Sequence, residues 1–133
     1  MYTFELCRQY QIGLKKASLE EVLPLFAPDA VVVTPLSGTL GVQAFHEKLF
    51  RNTRESIVKL HNVFEAMTQT PAVALQLHHT WVLRDGTTIG FDCVSIFDFT
   101  AQRDRFTRLT LVYDTAGIRR GLSERQIVEL GLA

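Results

Sequence analysis

Among the residues able to move a proton or polarise an oxygen, Tyr10 and the histidines come first. Tyr10 sits on the apolar face of a predicted helix. Its hydroxyl serves either as a core tyrosine's hydrogen-bonding tip or as a pocket group. His46, His61, His78 and His79 invite an acid–base or metal reading. His78 and His79 adjoin on a predicted strand and so point to opposite faces. No HxH or HxxxH spacing occurs, and no metal site is expected. Counting from the Asp85-Gly86 turn places His78 inward beside Thr80, a lone imidazole of the kind that suits a proton shuttle. The same residue as a satisfied structural histidine would need no function. Trp81 then falls on the opposite face, as dimer or sheet packing. On the next strand Phe91, Cys93, Ser95 and Phe97 share the more apolar face and are expected inside, with Asp92 and Asp98 outside or at a rim. A one-residue slip would exchange the two sets and make Asp92 a buried acid.

The elements that hold these groups follow from apolar spacing. Leu6, Tyr10, Leu14 and Ala17 give one face to a helix over residues 2–16. Ser18-Leu19-Glu20-Glu21 reads as a capping box opening a second helix, 19–26, with Leu19, Val22, Leu23 and Phe26 inward. Pro24 should kink or end it early. Pro28-Asp29 turns the chain, Ala30–Thr34 is a short β-branched strand, and Gly41–Asn52 is a third helix. Strands are then expected over Ile57–Met67, Ala72–Arg84, Thr87–Thr100 and Phe106–Asp114. Asp85-Gly86 is a hairpin turn, and a short docking helix is expected over Ser123–Leu132. Helices followed by a long antiparallel sheet define an α+β class.

The 133 residues suit one domain spanning 1–133. With 47% hydrophobic and 21% charged residues the chain is ordinary globular. Fourteen basic residues balance fourteen acidic ones, which argues against nucleic-acid binding and favours self-association. Cys7 and Cys93 have no CxxC or metal spacing and are expected as free buried thiols in a reducing cytoplasm. No signal peptide or membrane-spanning run is seen.

The order helix–helix–strand–helix–meander resembles the nuclear-transport-factor-two-like superfamily. So do the acidic turn before the short strand, the Gly before the third helix, and Tyr113-Asp114 near the end of the last strand. That resemblance covers about Leu6 to Arg119. It implies three N-terminal helices packed on a strongly curved antiparallel sheet, a cone with an internal pocket, commonly a homodimer through the outer sheet face. Beside ketosteroid isomerases, Tyr10 falls at the oxyanion tyrosine, but Thr34 stands at the base position and Ser95 at the second acid. A threonine is no general base near neutral pH, so steroid isomerisation by that mechanism is not expected. The epoxide-hydrolase Asp-Arg-Asp set is also missing from Gly90-Phe91-Asp92-Cys93-Val94. SnoaL-like cyclases match at Asp114, which can act as acid or base. Two functions stand open. One is a cofactor-free isomerase, cyclase or hydrolase with Asp114 as acid/base, Tyr10 and Tyr113 polarising an oxygen, and His78 shuttling a proton. Its apolar or carbonyl-bearing ligand would lie among Phe26, Thr34, Thr80, Cys93, Ser95 and Tyr113. The other is a non-catalytic ligand-binding or dimeric interaction domain.

Overall fold

Helix α1, Tyr2–Lys16, is the first element of the computed structural model, which describes residues 2–131. Leu6, Cys7, Tyr10 and Leu14 are its buried stripe. At its end Ala17 takes a left-handed φ of 52°, and Ser18 N–H returns to the Gly13 carbonyl at 3.1 Å. The Ser18 hydroxyl then caps α2, Leu19–Val22, by accepting from Glu21 N–H at 3.2 Å. The reciprocal arm of the expected capping box is not made, because the Glu21 carboxylate pairs with Lys16 at 3.3 Å. Helix α2 stops at Val22 and tightens into a 3-10 turn, Leu23–Leu25, with Pro24 inside it. Proline offers no N–H and obstructs a longer α-helix.

Strand β1 spans Phe26–Thr34, β2 spans Gly38–Gly41, and α3 runs from Val42 to Asn52. Strands β3, Thr53–Glu65, β4, Ala72–Leu83, β5, Thr88–Phe99, and β6, Phe106–Val112, follow. They form one open six-stranded sheet in the order β2-β1-β6-β5-β4-β3. The meander from β3 to β6 is antiparallel as expected, but β1 lies parallel to β6. The sheet is therefore mixed rather than purely antiparallel. Strand β3 also starts earlier than its apolar run, since the Thr53 hydroxyl donates to the Leu49 carbonyl at 2.7 Å and turns the chain directly out of α3.

Two helices follow β6: α4, Thr115–Gly121, and α5, Glu124–Glu129. Only the second was expected. Helix α4 contains Gly117 and Gly121, poor helix formers that hide it from apolar spacing. Asp114 opens it, its carboxylate accepting from Ala116 N–H at 2.9 Å. Gln126 completes a capping box with Ser123 and donates to Asp85 and Thr87 in the β4–β5 turn, at 2.9 and 3.1 Å. Ile118, Leu122, Ile127 and Leu130 are buried, so these helices close over the end of the core. At this end a Cβ on Gly121 would meet Ile89 Cδ1 at 2.9 Å, so a larger residue there would make the Ile89 side chain shift.

Candidate functional site

The inner face of the sheet is set by alternation. On β4 the buried residues are Val73, Leu75, Leu77, His79, Trp81 and Leu83; on β5 they are Ile89, Phe91, Cys93, Ser95, Phe97 and Phe99. Cys93 and Ser95 therefore face inward, as expected, and Asp92 is exposed. His78 and Thr80 do not. They lie on the outer face, and His79 with Trp81 occupies the interior. The same register pairs His78 with Asp92 across the strands, their side chains meeting at 2.9 Å with Asp92 88% exposed. Turn counting missed this because it ignored the large apolar residues of β4. Val73, Leu75, Leu77 and Leu83 are all odd-numbered, and that period carries His79 and Trp81 inside with them.

Inside, Tyr10 and His46 form the packed half. Tyr10 is ringed by Phe26, Phe97 and Phe106 with edge-to-face geometry at 5.8, 5.4 and 6.2 Å. Its hydroxyl lies 2.8 Å from His46 Nε2, while His46 Nδ1 lies 2.7 Å from the Val42 carbonyl. A carbonyl only accepts, so Nδ1 carries the imidazole proton and Nε2 takes the one from Tyr10. Tyr10 thus has no proton to offer a ligand's oxygen, and the oxygen-polarising role expected for it is not supported by this geometry. Burial holds the Tyr10 phenol well above its ordinary pKa, with the Cys93 thiol adding to the shift. Burial also lowers His46 to about 4, partly offset by its bond to Val42. Phe26, expected at a ligand, belongs to this packed half.

The other half centres on Phe91, whose ring lies 5.4 Å from His79, 4.9 Å from Trp81 and 5.3 Å from Tyr113. Here four buried polar atoms have no hydrogen-bond partner among the described residues: Ser56 Oγ, His79 Nδ1, Trp81 Nε1 and Tyr113 Oη. Ser56 faces Trp81 across β3 and β4. Unpaired buried groups are uncommon and costly, about 1–3 kcal/mol each. Three of the four belong to side chains packed against Phe91, and the fourth, Ser56, faces Trp81. Cys93 lies near both halves, close enough that its ionised form would raise both Tyr10 and Tyr113. Desolvation puts Cys93 at about 11 despite the Ser95 hydroxyl 3.8 Å away, so it is a thiol, not a thiolate, at neutral pH. Burial pushes Tyr113 up to about 12, offset in part by the nearby Thr34 hydroxyl, which is engaged with Ser37 and makes no hydrogen bond of proper geometry to Tyr113 Oη. Thr34 itself bonds Ser37 through both hydroxyls and accepts from Ser37 N–H at 3.0 Å. Burial, then the neighbouring His78, lowers His79 to about 4.

This lining is neutral at pH 7: two free donors in Tyr113 and Trp81, an imidazole in His79, a hydroxyl in Ser56 and a thiol in Cys93. Among the described residues no Asp or Glu is buried. Asp114, expected as acid/base, is exposed and holds the α4 cap. No group of three or more His, Cys, Asp or Glu is placed to hold a metal among the described residues.

A mixed open sheet wrapped around an aromatic interior and flanked by helices is the cone of the nuclear-transport-factor-two-like superfamily. The SnoaL-like domain model matches residues 7–109, and the chain belongs to that family. Solved structures share the fold at low identity. A nuclear-transport-factor-two-like protein of unknown function from Burkholderia pseudomallei is 18% identical, covers 92% of this chain and 98% of its own, and superposes with a TM-score of 0.78. TerC co-crystallised with polyporic acid is 18% identical over 91% of this chain and 98% of its own, TM-score 0.75. Delta 5-3-ketosteroid isomerase from Mycobacterium sp. is 16% identical over 87% and 95%, TM-score 0.73. At such identity these likenesses show the fold alone. A comparison with curated proteins gives no match.

Proposed function

We propose that the protein holds a small, largely apolar ring compound bearing a carbonyl or hydroxyl oxygen, in the Phe91 half of the interior. The observation that carries this reading is the set of four unpartnered buried polar atoms, three of them on side chains packed against Phe91. Aromatic walls with a few convergent polar groups are the usual make-up of a small-molecule site. In this reading the Tyr113 O–H and Trp81 N–H donate to the ligand's oxygen, and His79, neutral at pH 7, accepts or donates according to its tautomer. The ligand reaches them by displacement of α4 and α5. TerC, of the same fold, was crystallised with polyporic acid, which agrees with a ring compound as ligand.

Chemistry in such a site would be cofactor-free. His79 would replace His78 as the proton shuttle, and Asp114 would take part only after leaving the α4 cap. The lack of any buried carboxylate among the described residues favours the second reading, a binding domain without turnover. A homodimer through the outer sheet face belongs to either reading. Ile57, Phe64 and Val112 are 48%, 50% and 50% exposed there, more apolar surface than a solvated sheet face needs.

Trp81 is the single tryptophan, so its fluorescence reports this half of the interior alone. Titration with naphthoquinone or naphthol is expected to quench it saturably, whereas naphthalene, lacking the oxygen, binds several-fold more weakly. Equal binding of naphthalene would show that the polar atoms recognise nothing.

A further inference from the structure

We infer a second ligand site beside α1, in the groove between that helix and the edge strand β3, for a neutral amphiphile whose apolar chain ends in a carboxamide. The groove encloses about 430 Å³, within the usual range for small-molecule sites. Leu75 and Leu77 form its floor, Val58 and Leu60 its β3 wall, and Phe4 and Ile12 its α1 wall. Leu60 and Ile12 are 46% and 41% exposed, an apolar surface that an acyl chain would cover.

Helical spacing gives this site a different face of α1 from the one packed in the core. Leu6, Tyr10 and Leu14 turn one face of α1 to the core, while Phe4, Arg8, Gln11, Ile12 and Lys15 turn the adjoining face to the groove. Gln11 identifies the head group. Both its amide nitrogen and its amide oxygen are buried without a hydrogen-bond partner among the described residues. A side chain that both donates and accepts is answered by a group that does the same, and a carboxamide meets it with two bonds. Rotation of the flexible Gln11 side chain brings its amide to the ligand.

The rim charges select a neutral head. Arg8 is neutralised by Glu5 at 3.1 Å, and Lys15 on α1 faces a rim that carries Glu55 on β3. The two signs cancel, so neither a fatty-acid anion nor an alkylammonium gains from the groove.

The test is a titration of isotope-labelled protein with octanamide, read at the Gln11 side-chain amide and at the Trp81 indole N–H. The expected result is a saturable shift at Gln11 with Trp81 unmoved, and weaker binding of octanoate and octylammonium. Gln11→Leu keeps the helix and the apolar wall, and should weaken octanamide about three- to tenfold, the worth of a neutral hydrogen bond. Leu60→Lys, at an exposed position that leaves the core intact, should block the chain as well. Absence of saturation in the wild type, unchanged affinity in Gln11→Leu, or a shift at Trp81 in place of Gln11 would each overturn the assignment. Because Trp81 lies in the other site, failure here leaves the interior site unaffected, and the reverse also holds.

Discussion

Tyr10 and Tyr113 look alike in sequence and differ in what their protons do. Tyr10 donates to His46, whose other nitrogen is held by Val42, so Tyr10→Phe leaves Nε2 buried and unpaired. That change should cost about 1–3 kcal/mol in urea unfolding while leaving ring-compound affinity nearly unchanged. A large affinity loss would mean that Tyr10 faces the ligand after all. The two buried histidines make stability depend on pH. Their folded pKa values sit near 4, against about 6.5 for an unfolded histidine. Between those values the unfolded chain binds protons that the folded chain refuses, so stability is full above pH 6.5 and falls as the pH drops towards 4. Each histidine contributes about 3 kcal/mol to this loss, a large share of a domain's stability. Urea unfolding at pH 7 and at pH 4.5 should show it, and His79→Phe should flatten about half of the dependence.

At the scale of elements, the proposed site makes α4 and α5 its gate. Helix α5 is fixed by its own capping box and by the two bonds from Gln126 to the hairpin turn. Gln126→Ala removes these together and should raise both association and dissociation rates of the naphthoquinone probe in stopped-flow fluorescence, by about five- to tenfold with little change in affinity. Unchanged rates would mean that ligand enters elsewhere. Legibility in the sequence divides along the same elements. The faces of β5 were readable because Phe91, Cys93, Ser95 and Phe97 contrast with Asp92 and Asp98. The faces of β4 were misread by one residue, because the Asp85-Gly86 turn fixes where a hairpin bends but not which face each strand turns inward. The reversal brought in His79 and Trp81 and sent His78 and Thr80 out. Helix α4 and strand β2 were not legible: the first has two glycines, and the second is four residues held only by pairing with β1. The Tyr10–His46 bond joins residues 36 apart, a distance over which local spacing carries no signal.

The whole molecule has two kinds of surface still to be matched with partners. On the outer sheet face, Val112 pairs beside Val94 and, with Ile57 and Phe64, makes an apolar face on a chain of zero formal net charge. Nothing electrostatic opposes self-association. Sedimentation equilibrium should find a dimer, and Val112→Asp should shift it to monomer without loss of fold; a wild-type monomer at all concentrations would exclude it. No helix among the described residues is long and apolar enough to cross a membrane. Within the cone, the polar atoms left unpaired in the fold are proposed to serve a ligand. Tyr113→Phe tests that role most directly, with thermal unfolding and naphthoquinone affinity measured on the same preparation. Removing an unpaired buried hydroxyl should leave stability unchanged or higher while affinity falls about three- to tenfold. Lower stability with unchanged affinity would show the hydroxyl to be structural, and would contradict the account.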